Sequence, residues 1–217
     1  MEKRAFSMKI LALLLTGLLL LRPVAAWAAY TPSFEPRSRG VYLENVDTGQ
    51  LIYEKNGGQR LESGYLAKLM TALLTVEYME EKGLDLDEEK VSLKLYIQNL
   101  VYGSANLGGI LQGEEVSVRG LLYSMLLQSA NEATLMLGDY VGDGSVGHFA
   151  DMMNRGAEEL GCTGTSFADP AGFHDDDPAQ NSWTTPRDMG IIFKKVMEND
   201  LLRQILQTRD YDIGPTT

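Results

Sequence analysis

Lys68 is the residue of this chain placed most clearly for chemistry. It is the only charged residue between Glu62 and Glu77, inside the run Gly64-Tyr65-Leu66-Ala67-Lys68-Leu69-Met70-Thr71-Ala72-Leu73-Leu74. A helix that is apolar nearly all the way round belongs in a core, and a lysine enters a core only with a partner or a task. Desolvation disfavours the ammonium, so a partly buried lysine can serve as a general base near neutral pH. Competing candidates are weaker. Asp47-Thr48-Gly49 matches the aspartic-protease tripeptide, but that chemistry needs two carboxylates sharing a proton, and there is no second copy. Cys162 is the only cysteine and lies in Gly161-Cys162-Thr163-Gly164 with no base beside it, so it reads as a small packing residue and no internal disulfide can form. His148 falls on the polar face of a helical pattern. The run His174-Asp175-Asp176-Asp177 is contiguous and cannot converge on one ion, so it reads as a solvated turn. No metal and no cofactor is expected.

Elements must be found to hold Lys68. Residues 40–46 and 50–55 are rich in Val, Ile, Leu and Tyr and flank Asp47-Thr48-Gly49, which predicts a β-hairpin. The lysine helix runs from about Tyr65 to Lys82 and stops at Gly83, a suitable left-handed terminator. An acidic linker, residues 85–90, follows, and residues 91–115 mix a short strand-like start with four glycines, which makes them the least readable stretch. Ser117 can cap a second uncharged helix that carries Val118, Leu121, Leu122, Met125 and Leu126 at helical spacing. Residues 131–140 and 145–160 predict two more helices, the latter with Phe149, Met152, Met153, Gly156 and Leu160 on one face. After a long loop, Thr185-Pro186-Arg187-Asp188 marks a helix start, and its helix is expected to bury Met189, Ile192, Phe193, Val196 and Met197. The hairpin is the only clear sheet.

The bulk properties narrow the setting. With 217 residues, 44% hydrophobic and 23% charged, the chain has the composition of one ordinary globular domain. Its formal net charge is −11 even though the first 28 residues carry Lys3, Arg4, Lys9 and Arg22 against only Glu2. So acidic a surface argues against nucleic acid or anionic lipid as partner. A basic start, an apolar run from Ile10 to Leu21 and Ala26-Trp27-Ala28 predict an export signal over residues 1–28, cleaved after Ala28. The run is too short to span a bilayer. Residues 29–39, with Pro32 and Pro36, read as a flexible lead-in, and residues 40–217 as the working domain.

The order of blocks is specific. The Asp47-Thr48-Gly49 hairpin, Lys68-Leu69-Met70-Thr71-Ala72-Leu73-Leu74, Leu121-Leu122-Tyr123 through Gln128-Ser129-Ala130-Asn131-Glu132-Ala133, and Phe167-Ala168-Asp169-Pro170-Ala171-Gly172 together resemble the serine-type D-alanyl-D-alanine carboxypeptidases, the low-molecular-mass penicillin-binding proteins. The resemblance implies an α/β (α+β) fold of the β-lactamase/transpeptidase-like kind, an antiparallel sheet flanked by helices with a helical subdomain. It implies acyl-enzyme chemistry on the D-Ala-D-Ala end of peptidoglycan stem peptides, capture of β-lactams by the same nucleophile, and residence in the periplasm or on the outer face of the cytoplasmic membrane. It also allows membrane association through a C-terminal anchor absent from these residues. Family members use Ser-x-x-Lys, Ser-x-Asn and Lys-Thr-Gly. By that match Lys68 is the general base, Ser129 the proton relay and Asn131 the substrate-amide ligand. Ser104-Ala105-Asn106 is a second Ser-x-Asn string, but it lies in the glycine-rich stretch and reads as loop.

Two departures stand out. Three residues before Lys68, where the family has its nucleophilic serine, stands Tyr65. Its hydroxyl lies roughly 4 Å farther from the backbone than a serine's, which overshoots the place of the reacting carbonyl, although a nearby cation would favour a phenolate nucleophile. Ser63, five residues away, is on a different bearing. Lys-Thr-Gly occurs nowhere, so the chain reads as the N-terminal part of a family domain, short of the later sheet strands. The expectation is therefore a family protein of doubtful turnover, with a catalytically inactive peptidoglycan-binding member as the alternative. A β-lactamase fits the Gln128–Ala133 context less well.

Overall fold

The structure is a computed structural model that describes residues 33–214; the export signal read at residues 1–28 lies outside them. Strands β1 (Val41–Asn45) and β2 (Gln50–Lys55) form the expected antiparallel hairpin, with an irregular register between Leu43 and Glu44. Gly49, at φ +67°, closes its turn and donates to the Asn45 carbonyl at 2.8 Å, a left-handed position that suits glycine. Asp47-Thr48-Gly49 is thus a turn. Two carbonyls of residues 33–39 bond to the end of the hairpin. Lys55 Nζ donates to the Pro36 carbonyl at 2.8 Å and Asn56 Nδ2 to that of Arg39 at 2.7 Å.

The hairpin is not the only sheet among the described residues. Strand β3 (Leu61–Glu62) pairs with β6 (Trp183–Thr184), and β4 (Lys90–Ser92) with β5 (Glu115–Ser117), all antiparallel. Ladders of two and three residues are too short to show alternation in sequence. They matter as clasps: β3 with β6 pins the chain just before the lysine helix to the loop that precedes the last long helix.

The lysine helix begins with a 3₁₀ turn, Gly64–Leu66, and continues as α1 (Ala67–Lys82), ending at left-handed Gly83 as expected. It buries Met70, Leu73, Val76 and Met79, each worth roughly 1.5–3 kcal/mol for a fully covered large side chain. After α2 (Leu95–Leu100) come α3 (Val118–Gln128), α4 (Asn131–Val141), α5 (Val146–Glu159), α6 (Pro186–Glu198) and α7 (Asp200–Gln207). The predicted caps form: Ser117 Oγ accepts from Gly120 N–H at 3.1 Å, Thr185 Oγ1 from Asp188 N–H at 3.0 Å. Helix α1 packs against α3, α4, α5 and α6, so it is the axis of the core.

Helices α2 and α7 have no clear sequence signal. α2 has six residues and buries only Ile97, too few for a period to show. α7 is separated from α6 by Asn199 alone, whose side chain accepts from Leu202 N–H at 3.1 Å and restarts the helix. Phe193, which the helical spacing assigns to the core, is instead 43% exposed. Met189, Ile192 and Val196 take the buried face of α6, and Phe193, one step round the helix from Ile192, turns towards an open cleft. The hairpin lies on α6, where a Cβ at Gly190 would stand 2.5 Å from the Tyr42 ring. Close packing at that point requires glycine.

Candidate active site

The 3₁₀ turn and first turn of α1, the end of α3 and the start of α4 converge on Lys68. Its residue is only 3% exposed. Nζ donates to the Ser129 carbonyl at 2.6 Å, to Ser129 Oγ at 2.9 Å and to Asn131 Oδ1 at 2.7 Å. An ammonium has three donors, and all are used. Burial pushes the Lys68 pKa down from 10.5 to about 8, with the charges of Glu132 and Asp169 acting the other way. A base with that affinity can exchange protons near neutral pH.

Ser129 is positioned by a backbone conformation that non-glycine residues adopt at a cost. It ends α3 at φ +58°, ψ 33°, a left-handed state disfavoured by about 1 kcal/mol or more. The reversal lets carbonyl and hydroxyl of one residue both face Lys68, and Ala130 then starts α4 with Asn131 wholly buried beneath the lysine. Hydrogen bonds thus join three of the four residues singled out from sequence: Lys68, Ser129 and Asn131.

Tyr65 is also there, but not as a hydrogen-bonding partner. Lys68 Nζ lies over the face of its ring, 4.6 Å from the centroid, the arrangement of a cation–π contact. Its hydroxyl makes no hydrogen bond to the lysine among those of the described residues. The tyrosine is 45% exposed, so the ring roofs the lysine at the floor of a cleft of about 730 Å³ that also meets Leu66, Met125, Thr184 and Phe193. Ser63 is buried, its N–H donating to the Ser182 carbonyl and its hydroxyl to the Gly64 carbonyl. It takes no part in the lysine cluster.

Three supports escape a sequence reading. Asp169 gathers the Ala171 and Gly172 N–H groups on Oδ1 at 2.7 and 2.8 Å and Phe173 N–H on Oδ2 at 3.1 Å; burial raises its pKa, and these amides and Lys68 act against that rise. The tight turn that results carries Gly172 onto Gly64, where a Cβ would stand 1.9 Å from the Gly64 carbonyl oxygen. Thr71 Oγ1 ties α1 to the same turn by donating to the Pro170 carbonyl at 2.7 Å. The Asp-Pro-Ala-Gly string therefore braces the start of the lysine helix. The second and third supports are Ser104 and Glu132. Ser104-Ala105-Asn106 is loop, as its glycine-rich surroundings suggest, yet Ser104 Oγ accepts from Asn131 Nδ2 at 3.2 Å and the Asn106 carbonyl from Asn131 N–H at 2.8 Å.

Residues 28–213 match the family model described as D-alanyl-D-alanine carboxypeptidase. The chain is 28% identical over 213 residues to D-alanyl-D-alanine carboxypeptidase DacF of Bacillus subtilis, covering 94% of this chain and 51% of that protein. It is 30% identical over 183 residues to a D-alanyl-D-alanine carboxypeptidase of a Streptomyces species, covering 82% and 60%. Among solved structures, a mutant of a Streptomyces DD-transpeptidase superposes with a TM-score of 0.74 at 30% identity, covering 83% of this chain and 68% of that one. D-alanyl-D-alanine carboxypeptidase from Mycobacterium tuberculosis gives 0.71 at 25% identity, covering 82% and 62%. The chain spans roughly half to three-fifths of the length of these curated relatives. With its fold shared across both solved structures and nearly the whole chain matched, this protein belongs to the D-alanyl-D-alanine carboxypeptidase family.

Proposed function

We propose that this chain is an exported member of the family whose cleft receives the D-Ala-D-Ala end of peptidoglycan stem peptides and holds it without forming an acyl-enzyme. The observation that carries this reading is the Tyr65–Lys68 geometry. A general base must share a hydrogen bond with the proton it removes. Here the ammonium sits over the Tyr65 ring and spends its donors on Ser129 and Asn131. The ring also occupies the space above the lysine, where a reacting carbonyl would approach a serine in the first turn.

In this reading Lys68 keeps a structural form of its family role. It fixes the left-handed Ser129, whose residue lines the cleft, and the Asn131 side-chain carbonyl, which stays buried beneath the lysine. Exposed Leu66 and Phe193 supply apolar cleft wall. The family's catalytic chemistry, in which lysine takes the serine proton and the second serine relays it to departing D-alanine, has no serine to start from at position 65.

The test uses the full-length protein with a fluorescent penicillin, followed by denaturing electrophoresis, alongside calorimetric titration with a stem peptide ending in D-Ala-D-Ala. Peptide binding without a covalent band is the expected result. A covalent band that disappears in Tyr65→Phe would make the phenol a nucleophile and overturn the proposal. So would a well-folded protein that binds no peptide.

A further inference from the structure

Glu132 is 1% exposed, yet the lysine cluster does not touch it directly. Its Oε1 accepts from three successive backbone N–H groups: Gly108 at 2.5 Å, Gly109 at 2.8 Å and Ile110 at 3.4 Å. Its Oε2 is buried without a hydrogen-bond partner. A half-satisfied buried carboxylate is costly, so its negative charge must be balanced from nearby. Glu132 is next in sequence to Asn131, which Lys68 Nζ holds at 2.7 Å, and its charge favours the protonated form of that lysine.

The same loop reaches the site from the other side. Residues 104–110 are sewn to the end of α3 and the start of α4 by Ser104 Oγ and the Asn106 carbonyl on Asn131, and by the Leu107 carbonyl on Gln128 Nε2 at 3.3 Å. Gly108 lies so close that a Cβ would stand 2.6 Å from Ser124 Oγ and 3.4 Å from Glu132 Oε1. Ser104 takes one Asn131 Nδ2 hydrogen, which turns Oδ1 towards Lys68.

We propose that Glu132 is a positioning residue: it fastens the 104–110 loop, and with it Ser104, onto α4, and supplies the countercharge that keeps Lys68 and Asn131 joined. Neither Glu132 nor Ser104 meets the cleft; both act through Asn131 and Lys68. Lys68 bonds Ser129 from the end of α3 and Asn131 from the start of α4 and lies over the Tyr65 ring, while the charges of Glu132 on α4 and Asp169 in the loop after α5 act on it. Asp169 receives amides on both oxygens, whereas all three amides on Glu132 go to Oε1. Glu132, with a bare oxygen, is the carboxylate whose removal Lys68 should sense most. The inference rests on Lys68 at the cleft floor and Asn131 joined to it beneath, and its test reads neither peptide binding nor acylation, so the two proposals fail separately.

The experiment is NMR on the full-length protein labelled in its lysine side chains, with the Lys68 signal assigned by its loss in Lys68→Arg. Glu132→Gln keeps an oxygen for the three amides and removes the charge, so the Lys68 midpoint should fall by about one pH unit. Glu132→Asp keeps the charge and should hold it near wild type. An unchanged midpoint in a folded Glu132→Gln protein overturns the proposal, because a purely structural glutamate would leave the lysine untouched. Should Glu132→Gln not fold, Ser104→Ala decides. Loss of its acceptor should speed hydrogen exchange at the Asn131 side-chain amide and shift its resonances. An Asn131 amide identical to wild type in that variant would also overturn the proposal.

Discussion

Replacing Lys68 by Met should change how stability depends on pH. The folded protein lowers the Lys68 pKa from 10.5 to about 8 because burial penalises the ammonium. Between those values the unfolded chain holds a proton at this site that the folded chain has released. Stability therefore rises with pH across that window. The burden is fully present below about pH 8 and relieved above 10.5, with an amplitude of about 3 kcal/mol at about 1.4 kcal/mol per pH unit. Other groups pull the opposite way. The Glu44 hydrogen bond raises Tyr42 to about 12, and burial raises Tyr140 to about 12 and the Cys162 thiol to about 11. Each favours its neutral form in the fold and loses stability as alkali ionises it in the unfolded chain. Those contributions are common to both proteins and cancel in the difference. Urea unfolding of wild type and Lys68→Met in steps from pH 7.5 to 10.5 should show the wild type gaining up to about 3 kcal/mol on the variant. The three acceptors stranded by methionine add an offset that does not depend on pH. A difference that stays flat across the window would refute the assignment of Lys68 as a desolvated, readily deprotonated base.

Gly172→Ala should be among the most damaging small substitutions. Its φ of +72° and the 1.9 Å approach of a Cβ to the Gly64 oxygen force the Asp169 turn off the lysine helix, and chemical denaturation should register a loss of about 3 kcal/mol or more. Thr185→Ala removes the cap on Asp188 N–H at the start of α6 and should cost about 1 kcal/mol in the same assay. Cys162 is 1% exposed, and its thiol is pushed up by burial. Iodoacetamide at pH 8 should therefore label it in urea but leave it unmodified in the native protein over the same interval.

Much of the frame is legible along the chain because it follows from local rules. The hairpin around Asp47-Thr48-Gly49, the uncharged helices carrying Lys68 and Leu121-Leu122-Tyr123, and the caps at Ser117 and Thr185 each rest on residues within a few positions of one another. The lone lysine is legible for the same reason, since a single charge in an apolar helix is conspicuous whatever surrounds it. Helix α7 and the short ladders carry too few residues for a period to emerge, and Phe193 shows that helical spacing gives a face without saying what covers it.

The sequence by itself determined that Tyr65 stands where a family serine would, and that Lys68 shares a helix with it. Only the tertiary structure decided what those two do to each other: the ring lies across the ammonium while the lysine's three hydrogens go to Ser129 and Asn131, sixty-odd positions away. Likewise Glu132 and Ser104 gain meaning only when the 104–110 loop folds over α4. Residue type and spacing along a helix follow from the chain's covalent order. Which donor meets which acceptor depends on segments distant in sequence being packed together, and a left-handed turn at Ser129 leaves no signature in the residues beside it.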